Sequence, residues 1–311
     1  MCAMELRRLS KAGFSKALFF GNYFYGLCII ALSVEAGLQQ YRSLNSVYYY
    51  LLVFLATVIY YTRAYIPSKS VNSPNPRTRW YARNNTDIRL SQWVLSIIFI
   101  VTAIVYLSYY FTGFTRMPWL NWLLLAIFPL LALLYYGIEH QFFGNYSLRS
   151  IGWLKPFVIG MIWAATATIY PVIFNGVENT GPYYEINLVG SYLFVKNFMY
   201  ITVLCIMFDI KDYAADSNQQ IKTFVVKAGL RRTLFSIILP LASMGLASFL
   251  LYALARDFGS MRIFINVIPF VLLLTVAYYL HRRQSIFYYL AVIDGLMLAK
   301  GICGTIAMTF F

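Results

Sequence analysis

The sequence predicts an all-α, polytopic membrane protein, a bundle of nine transmembrane helices. Three observations predict this class. The 311 residues are 60% hydrophobic and only 12% charged, with a mean hydropathy of +0.65, whereas a soluble domain carries about 25% charged residues. Apolar runs long enough to cross a bilayer recur along the chain. Lysines and arginines fall on alternate connecting segments.

Composition and charge also exclude several other classes. The low charge excludes soluble globular, disordered and disulfide-rich secreted proteins. A net charge of +14 would suit a nucleic-acid partner, but the basic residues are spread over separate loops and form no continuous face. The cysteines have no CxxC spacing and are interpreted as small packing residues. The partners expected from composition are therefore membrane lipids.

Nine apolar runs define the expected spans, and no linker divides the chain, so residues 1–311 are predicted to form one domain. The segment of the first sixteen residues is short and basic, and the apolar run after it is long enough to span the membrane. No cleavable signal is therefore expected. The expected spans cover residues 18–38, 47–66, 90–111, 119–138, 156–174, 186–208, 233–254, 263–280 and 286–307.

The basic residues predict the orientation. With the N-terminus in the cytoplasm, nineteen of the 25 lysines and arginines lie on cytoplasmic segments. An odd number of spans then puts the C-terminus outside. The location predicted is the inner (cytoplasmic) membrane. Two cytoplasmic loops, about 67–88 and 209–232, are longer than a tight helix connection needs and are the expected site loops.

Three acids mark the second of these loops. Asp209, Asp212 and Asp216 are three of only eleven acids in the chain, and offsets of 3 and 7 place them on one helix face. Clustered carboxylates repel one another, and Mg²⁺ bound together with substrate phosphates would neutralise them. The alternative is a solvated acidic helix end neutralised by Lys211 and Lys222. No nucleophilic triad, histidine-ligated metal site or glycine-rich phosphate loop is indicated.

The same stretch resembles the second aspartate-rich motif of the UbiA family of intramembrane prenyltransferases. That motif is a DxxxD pair, often preceded by another Asp and followed by a run like GIKTLPVKLG. Here Asp212 and Asp216 match the pair, Asp209 matches the preceding acid, and IKTFVVKAG at 221–229 matches the tail. A looser similarity is LKP at 154–156, leading into the fifth expected span.

The first motif of the family, NxxxDxxxD, should follow the second span and is absent. No acid occurs there before Asp87, and several arginines, Arg63 and Arg77 among them, occupy the region. Three interpretations stay open. The arginines bind the diphosphate directly in place of a metal, the protein has kept the fold and lost the chemistry, or the arginines only set the topology.

The resemblance implies transfer of a prenyl group from a polyprenyl diphosphate to a lipophilic, aromatic or lipid acceptor, with Mg²⁺ as cofactor. It implies Asp209, Asp212 and Asp216 as metal ligands, with Asp212 and Asp216 catalytic. The candidates for diphosphate binding, in falling order, are Lys222, Lys155, Arg63 and Arg77. Two alternatives remain: a catalytically silent isoprenoid-binding or scaffold relative, and a small-molecule transporter.

Charged residues inside the spans are the remaining feature. Lys196, Asp294 and Lys300 need a partner on another helix, or they line a substrate cavity or a transport pathway. Asp294 and Lys300 are six residues apart and poorly placed to pair with each other. Glu35 and Glu139 lie near span ends and are given no role.

Overall fold

The computed structural model describes residues 13–66, 75–136, 151–218, 223–281 and 284–311. Every regular element within these ranges is helical, which confirms the predicted all-α class. The chain divides into two compact units, Met1–Ile30 with Ser46–Phe111, and Ala31–Asn45 with Thr112–Phe311. Each unit is described by itself below, and the single domain stays a prediction.

The first unit contains four helices and the start of a fifth, α2, which continues into the second unit. Ser46 caps α3 by accepting a hydrogen bond from the Tyr49 backbone N–H, and α3 packs against α5. The helices are α1 (Gly13–Phe20), α2 (Tyr23–Gln39), α3 (Val47–Arg63), α4 (Pro76–Arg83) and α5 (Asn85–Tyr109).

The first expected span is broken. Helices α1 and α2 are bent by 57° across Gly21 and Asn22, and Asn22 has a φ of 66°, which an α-helix does not adopt. A Cβ at Gly21 would come within 2.4 Å of the Ala17 carbonyl oxygen, so glycine permits this bend. Hydropathy alone predicted one continuous helix over residues 18–38, because the residues around the bend, except Asn22, are compatible with a membrane span.

The second unit is built around one long helix, α10, which packs against α8 and α13. Two other helices, α13 and α16, are each preceded by a π-helical turn, Leu234–Ile238 and Tyr289–Ile293. The helices are α6 (Phe111–Thr115), α7 (Trp119–Tyr136), α8 (Lys155–Thr168), α9 (Tyr170–Glu178), α10 (Leu188–Asn218), α11 (Phe224–Ala228), α12 (Leu230–Thr233), α13 (Leu239–Ala255), α14 (Ser260–Tyr279), α15 (Ile286–Tyr288) and α16 (Asp294–Phe310).

Small residues bring α8 and α10 close together. Gly160 faces Thr202 so closely that a Cβ at Gly160 would lie 2.2 Å from the Thr202 hydroxyl oxygen. Ala164, Ala165 and Ala167 are buried in the same helix. Close helix approach through small residues is typical of packing in membranes, where apolar burial alone gives little association energy. This contact fixes the relative position of the polar ends of the two helices.

Six helices in the described ranges are long and apolar enough to cross a membrane, and the bent α1–α2 pair makes a seventh. The shorter apolar helices α3 and α7 lie where the second and fourth spans were expected. The chain is an integral membrane protein. The count of nine spans stays a prediction.

The described parts of both expected site loops are largely helical. In the first loop, Asn75 accepts a hydrogen bond from the Arg77 backbone N–H and Pro76 begins α4, a combination that starts helices. In the second, α10 runs beyond the expected span end to Asn218. The helix predicted from the offsets of the three acids is therefore a direct continuation of the span, since hydropathy falls where a span leaves the apolar region even if the helix continues.

Candidate functional site

One end of α10 carries the predicted acids, and the first of them is buried and ion-paired. Asp209 is fully buried, and its Oδ1 accepts a hydrogen bond from the Nζ of Lys155 at 2.8 Å. Lys155 begins α8 and its side chain stays 24% exposed. Two residues predicted separately, one as a metal ligand and one as a phosphate ligand, are thus in direct contact.

Asp212 lies one turn further along the same helix face and is accessible. Its side chain is 41% exposed, and Lys211 Nζ lies 3.3 Å from its Oδ1. Asp216 is also within α10, so the three acids share one helix as predicted. The side chain of Asp216 lies outside the described residues. Within the described part of the chain, no cluster of three acid, cysteine or histidine side chains is assembled.

The tail of the motif folds back as a short helix beside α8. Thr223 caps α11 by accepting a hydrogen bond from the Val226 N–H, and the ring of Phe224 lies 6.0 Å from that of Phe157 on α8. Gly229 ends α11 with a φ of 76°, a conformation that favours glycine. Lys222, the first candidate for diphosphate binding, lies outside the described residues.

The π-helical turn before α16 packs against the same end of α10. The ring of Tyr289, in this turn, lies 5.8 Å from that of Phe208, the neighbour of Asp209. Asp294 follows the turn and is buried. Both Asp209 and Asp294 are electrostatic neighbours of the Cys205 thiol. Asp294 therefore lies near the acid-bearing end of α10, and its position as an acid inside an apolar run was the sequence signal that singled it out.

In the first unit, Arg77 is buried and bound by protein groups. Its guanidinium donates to the Phe20 carbonyl and the Tyr65 hydroxyl, each at 3.2 Å, and to the Asn22 side-chain oxygen. It also lies 4.1 Å from the centre of the Tyr65 ring. These contacts hold α4 against the bend between α1 and α2. Arg77, which was predicted to bind the substrate diphosphate, thus has a guanidinium whose contacts are with protein groups.

Tyr81 completes this buried cluster. Its hydroxyl donates to the Phe20 carbonyl at 2.8 Å and accepts from the Asn22 amide at 3.2 Å. Burial raises the pKa of Tyr81 above its ordinary value, even with the Arg77 guanidinium nearby. The hydroxyl therefore remains a hydrogen-bond donor at neutral pH.

The other predicted arginine has a different environment. Arg63 ends α3 and is exposed. Arg79 and Arg83, one turn apart on α4, are exposed as well. Arg63, Arg79 and Arg83 are therefore accessible, and Arg63 is the one among them that was predicted to bind diphosphate.

A second polar cluster lies within the helices of the second unit. The Glu35 carboxylate on α2 accepts from Lys196 of α10 at 2.8 Å and from Lys300 of α16 at 2.5 Å, and all three side chains are buried. Gln39 accepts from Lys196 at 2.7 Å and donates to Asn266 of α14 at 2.7 Å. The predicted partner for the two lysines on another helix is confirmed. That partner is Glu35, a residue near a predicted span end to which sequence analysis assigned no role.

Comparison with known proteins gives a fold but no family by sequence. No protein-family model matches the chain, and no curated protein matches it.

The fold is similar to that of a UbiA-type intramembrane prenyltransferase. A solved structure with this similarity is that of digeranylgeranylglyceryl phosphate synthase in membranes, with a TM-score of 0.57 and 13% sequence identity over 96% of this chain and 99% of that one. At this identity the similarity shows the fold alone. The site residues stay predictions that the fold makes coherent.

Proposed function

We propose that this protein transfers a prenyl group from a polyprenyl diphosphate to a lipophilic acceptor within the membrane. The observation that carries the proposal is the pair of carboxylates on one face of α10, Asp209 buried and Asp212 accessible, in a chain with a prenyltransferase fold.

The donor set fits Mg²⁺. This ion is usually held by one or two carboxylates plus substrate phosphates and water, and Asp209 and Asp212 supply two carboxylates one turn apart. Asp216 would add a third from the next turn. When bound, the ion would supply positive charge against the departing diphosphate.

The basic residues have distinct roles in this proposal. Lys155 forms an ion pair with Asp209, and its partly exposed side chain would contact a phosphate beside the same carboxylate. Lys222 and the exposed Arg63 would add charge-assisted contacts. Arg77 would act indirectly, since its guanidinium already binds Phe20, Asn22 and Tyr65.

The reaction needs little covalent chemistry from the protein. The bond between the prenyl carbon and the diphosphate oxygen breaks, both electrons leave with the diphosphate, and the allylic cation is captured by the acceptor, which then loses a proton. Cationic side chains stabilise the leaving group. Aromatic rings such as those of Phe208 and Tyr289 would stabilise the cation and exclude water.

The test uses the purified full chain and geranylgeranyl diphosphate. We expect calorimetry to show binding that strengthens with Mg²⁺, and a radiolabelled prenyl group to appear in lipid when a membrane lipid extract is supplied. If the protein does not bind geranylgeranyl diphosphate either with or without Mg²⁺, the result would contradict the proposal and favour a transporter instead.

A second candidate is a silent relative that binds the isoprenoid without transferring it. The missing first motif favours this candidate. So does the burial of Arg77, because in this region the family has metal-binding acids and this chain has an arginine with structural contacts. Binding of geranylgeranyl diphosphate without release of diphosphate or product would support this candidate.

Arg63→Gln tests whether an arginine replaces the missing motif. We expect diphosphate affinity to fall about tenfold or more with Mg²⁺ saturating, because a charge-assisted hydrogen bond contributes about 1.5–3 kcal/mol. Arg63→Lys should restore only part of the affinity, since it lacks the planar fork. Arg116→Gln, an exposed arginine of the second unit, is the matched control. If Arg63→Gln matches that control, Arg63 is a topology signal only.

We further propose that the N-terminus is cytoplasmic and the C-terminus external, in the inner (cytoplasmic) membrane. The distribution of basic residues supports this orientation. It places the acid-bearing end of α10 at the cytoplasmic side.

A further inference from the structure

The second unit contains a polar cavity at the opposite end of α10. It has a volume of about 160 Å³, and its lining includes Arg42, Arg256, Glu185 and Asn187. Asn187 directly precedes α10, whereas Asp209 lies 22 residues later. At 1.5 Å per residue, the two ends are about 33 Å apart. The cavity is therefore separate from the acid-bearing site.

The two arginines are unusual at this end. Most basic residues lie in the connecting segments that are assigned to the other side of the membrane. The connecting segments on this side contain only Arg42, Arg116, Arg256 and Arg262. Two of these four line one cavity. The general bias in basic residues disfavours this placement.

Arg256 forms no ion pair with any residue that the structure describes. Its guanidinium lies 5.5 Å from the centre of the Tyr41 ring and 5.9 Å from that of Tyr252. The Nε atom is buried and has no hydrogen-bond partner among the residues that the structure describes. Two aromatic rings thus lie close to the guanidinium, a group whose geometry suits a planar or tetrahedral anion.

The start of α10 adds positive potential. Asn187 accepts a hydrogen bond from the Gly190 N–H at 2.6 Å and so caps the helix while also lining the cavity. The N-terminal end of a helix carries a partial positive charge. Together with Arg42 and Arg256, it favours an anion in this space.

Glu185 limits which anion fits. It lines the cavity beside the arginines, yet no described residue forms an ion pair with it. The Glu185 carboxylate would repel a simple phosphate. A phosphate ester that also carries an ammonium group would instead neutralise the carboxylate. The volume is well below the roughly 300–1,000 Å³ of a pocket for a drug-sized ligand, so only a headgroup fits.

We propose that this cavity binds a phosphate ester bearing an amine, the phosphoethanolamine group, with the phosphate on Arg42 and Arg256 and the ammonium on Glu185. Such a group comes either from a lipid headgroup or from a free ester. The proposal does not depend on prenyl transfer.

The experiment titrates the detergent-solubilised full chain with dihexanoylphosphatidylethanolamine, free O-phosphoethanolamine and inorganic phosphate. We expect the lipid to bind, and Arg256→Gln and Arg42→Gln each to weaken it about tenfold, the loss expected for one charge-assisted contact. Arg116→Gln should bind like the wild type. Equal affinity for the free ester would identify it as a sufficient ligand. Absence of binding, or wild-type affinity in both Arg256→Gln and Arg42→Gln, would overturn the proposal.

Two further variants separate the roles. Glu185→Gln should lose the preference for O-phosphoethanolamine over inorganic phosphate, and an unchanged preference would overturn the assignment of the amine. Asp212→Asn, at the far end of α10, should leave this binding unchanged. If Arg256→Gln does not fold, as judged by its elution and melting temperature, Arg42→Gln decides the outcome.

Discussion

Replacement of Glu35 by Leu is expected to destabilise the protein by about 3–5 kcal/mol, the cost of leaving a buried charge without its partner. Glu35 is the only described carboxylate that ion-pairs with the buried ammonium groups of Lys196 and Lys300. Without it, two cations remain close together among apolar helices, where an isolated charge is costly. The free energy of unfolding in a detergent–denaturant titration measures this loss.

The same cluster predicts a contrasting result at Lys300. Two lysines and one glutamate carry an excess positive charge, so Lys300→Met leaves a balanced Glu35–Lys196 pair that Gln39 still supports. Removing one partner of a buried ion pair is costly because it leaves the other charge uncompensated, and here Glu35 keeps Lys196 as its partner after Lys300 is replaced. We expect Lys300→Met to stay within about 1 kcal/mol of the wild type.

Lys211→Met is the control for this pair of variants, since Lys211 is partly exposed at the end of α10. A Glu35→Leu protein as stable as this control would show that the cluster contributes nothing to stability. Equal losses in Glu35→Leu and Lys300→Met would show that packing, and not charge balance, sets the effect.

Replacement of Asp212 by Asn is expected to abolish the dependence of diphosphate binding on Mg²⁺. Asparagine keeps the shape of the side chain and removes the charge that a hard cation requires. Asp212 is the better position for this test because it is accessible, whereas Asp209→Asn would also remove the partner of Lys155. Calorimetry with geranylgeranyl diphosphate, with and without Mg²⁺, provides the measurement.

Asp257→Asn is the matched control. Asp257 is exposed and has a φ of 52°, a conformation that Asn adopts readily, so the same substitution there should leave binding unchanged. Retained Mg²⁺ dependence in Asp212→Asn would reject Asp212 as a ligand and support the solvated helix end instead.

Sequence reasoning reached the acid-bearing face of α10 because its signals are local. An offset of three residues puts Asp209 and Asp212 on one face of any helix, and the motif tail ends at a glycine that the structure places at a positive φ. It did not reach the contact between Lys155 and Asp209. That contact depends on how closely α8 and α10 approach at Gly160. The sequence of one helix alone does not predict how it packs against another.

The roles of the charged residues show the same division. By itself, the sequence determined the membrane class, the helical content and the unusual acids and cations, because composition and periodicity carry that information directly. Only the tertiary structure decided that Arg77 is buried while Arg63 is exposed, and that Glu35 joins Lys196 and Lys300. The physical reason is that burial and pairing depend on neighbours distant in the chain, and Glu35 and Lys300 are 265 residues apart.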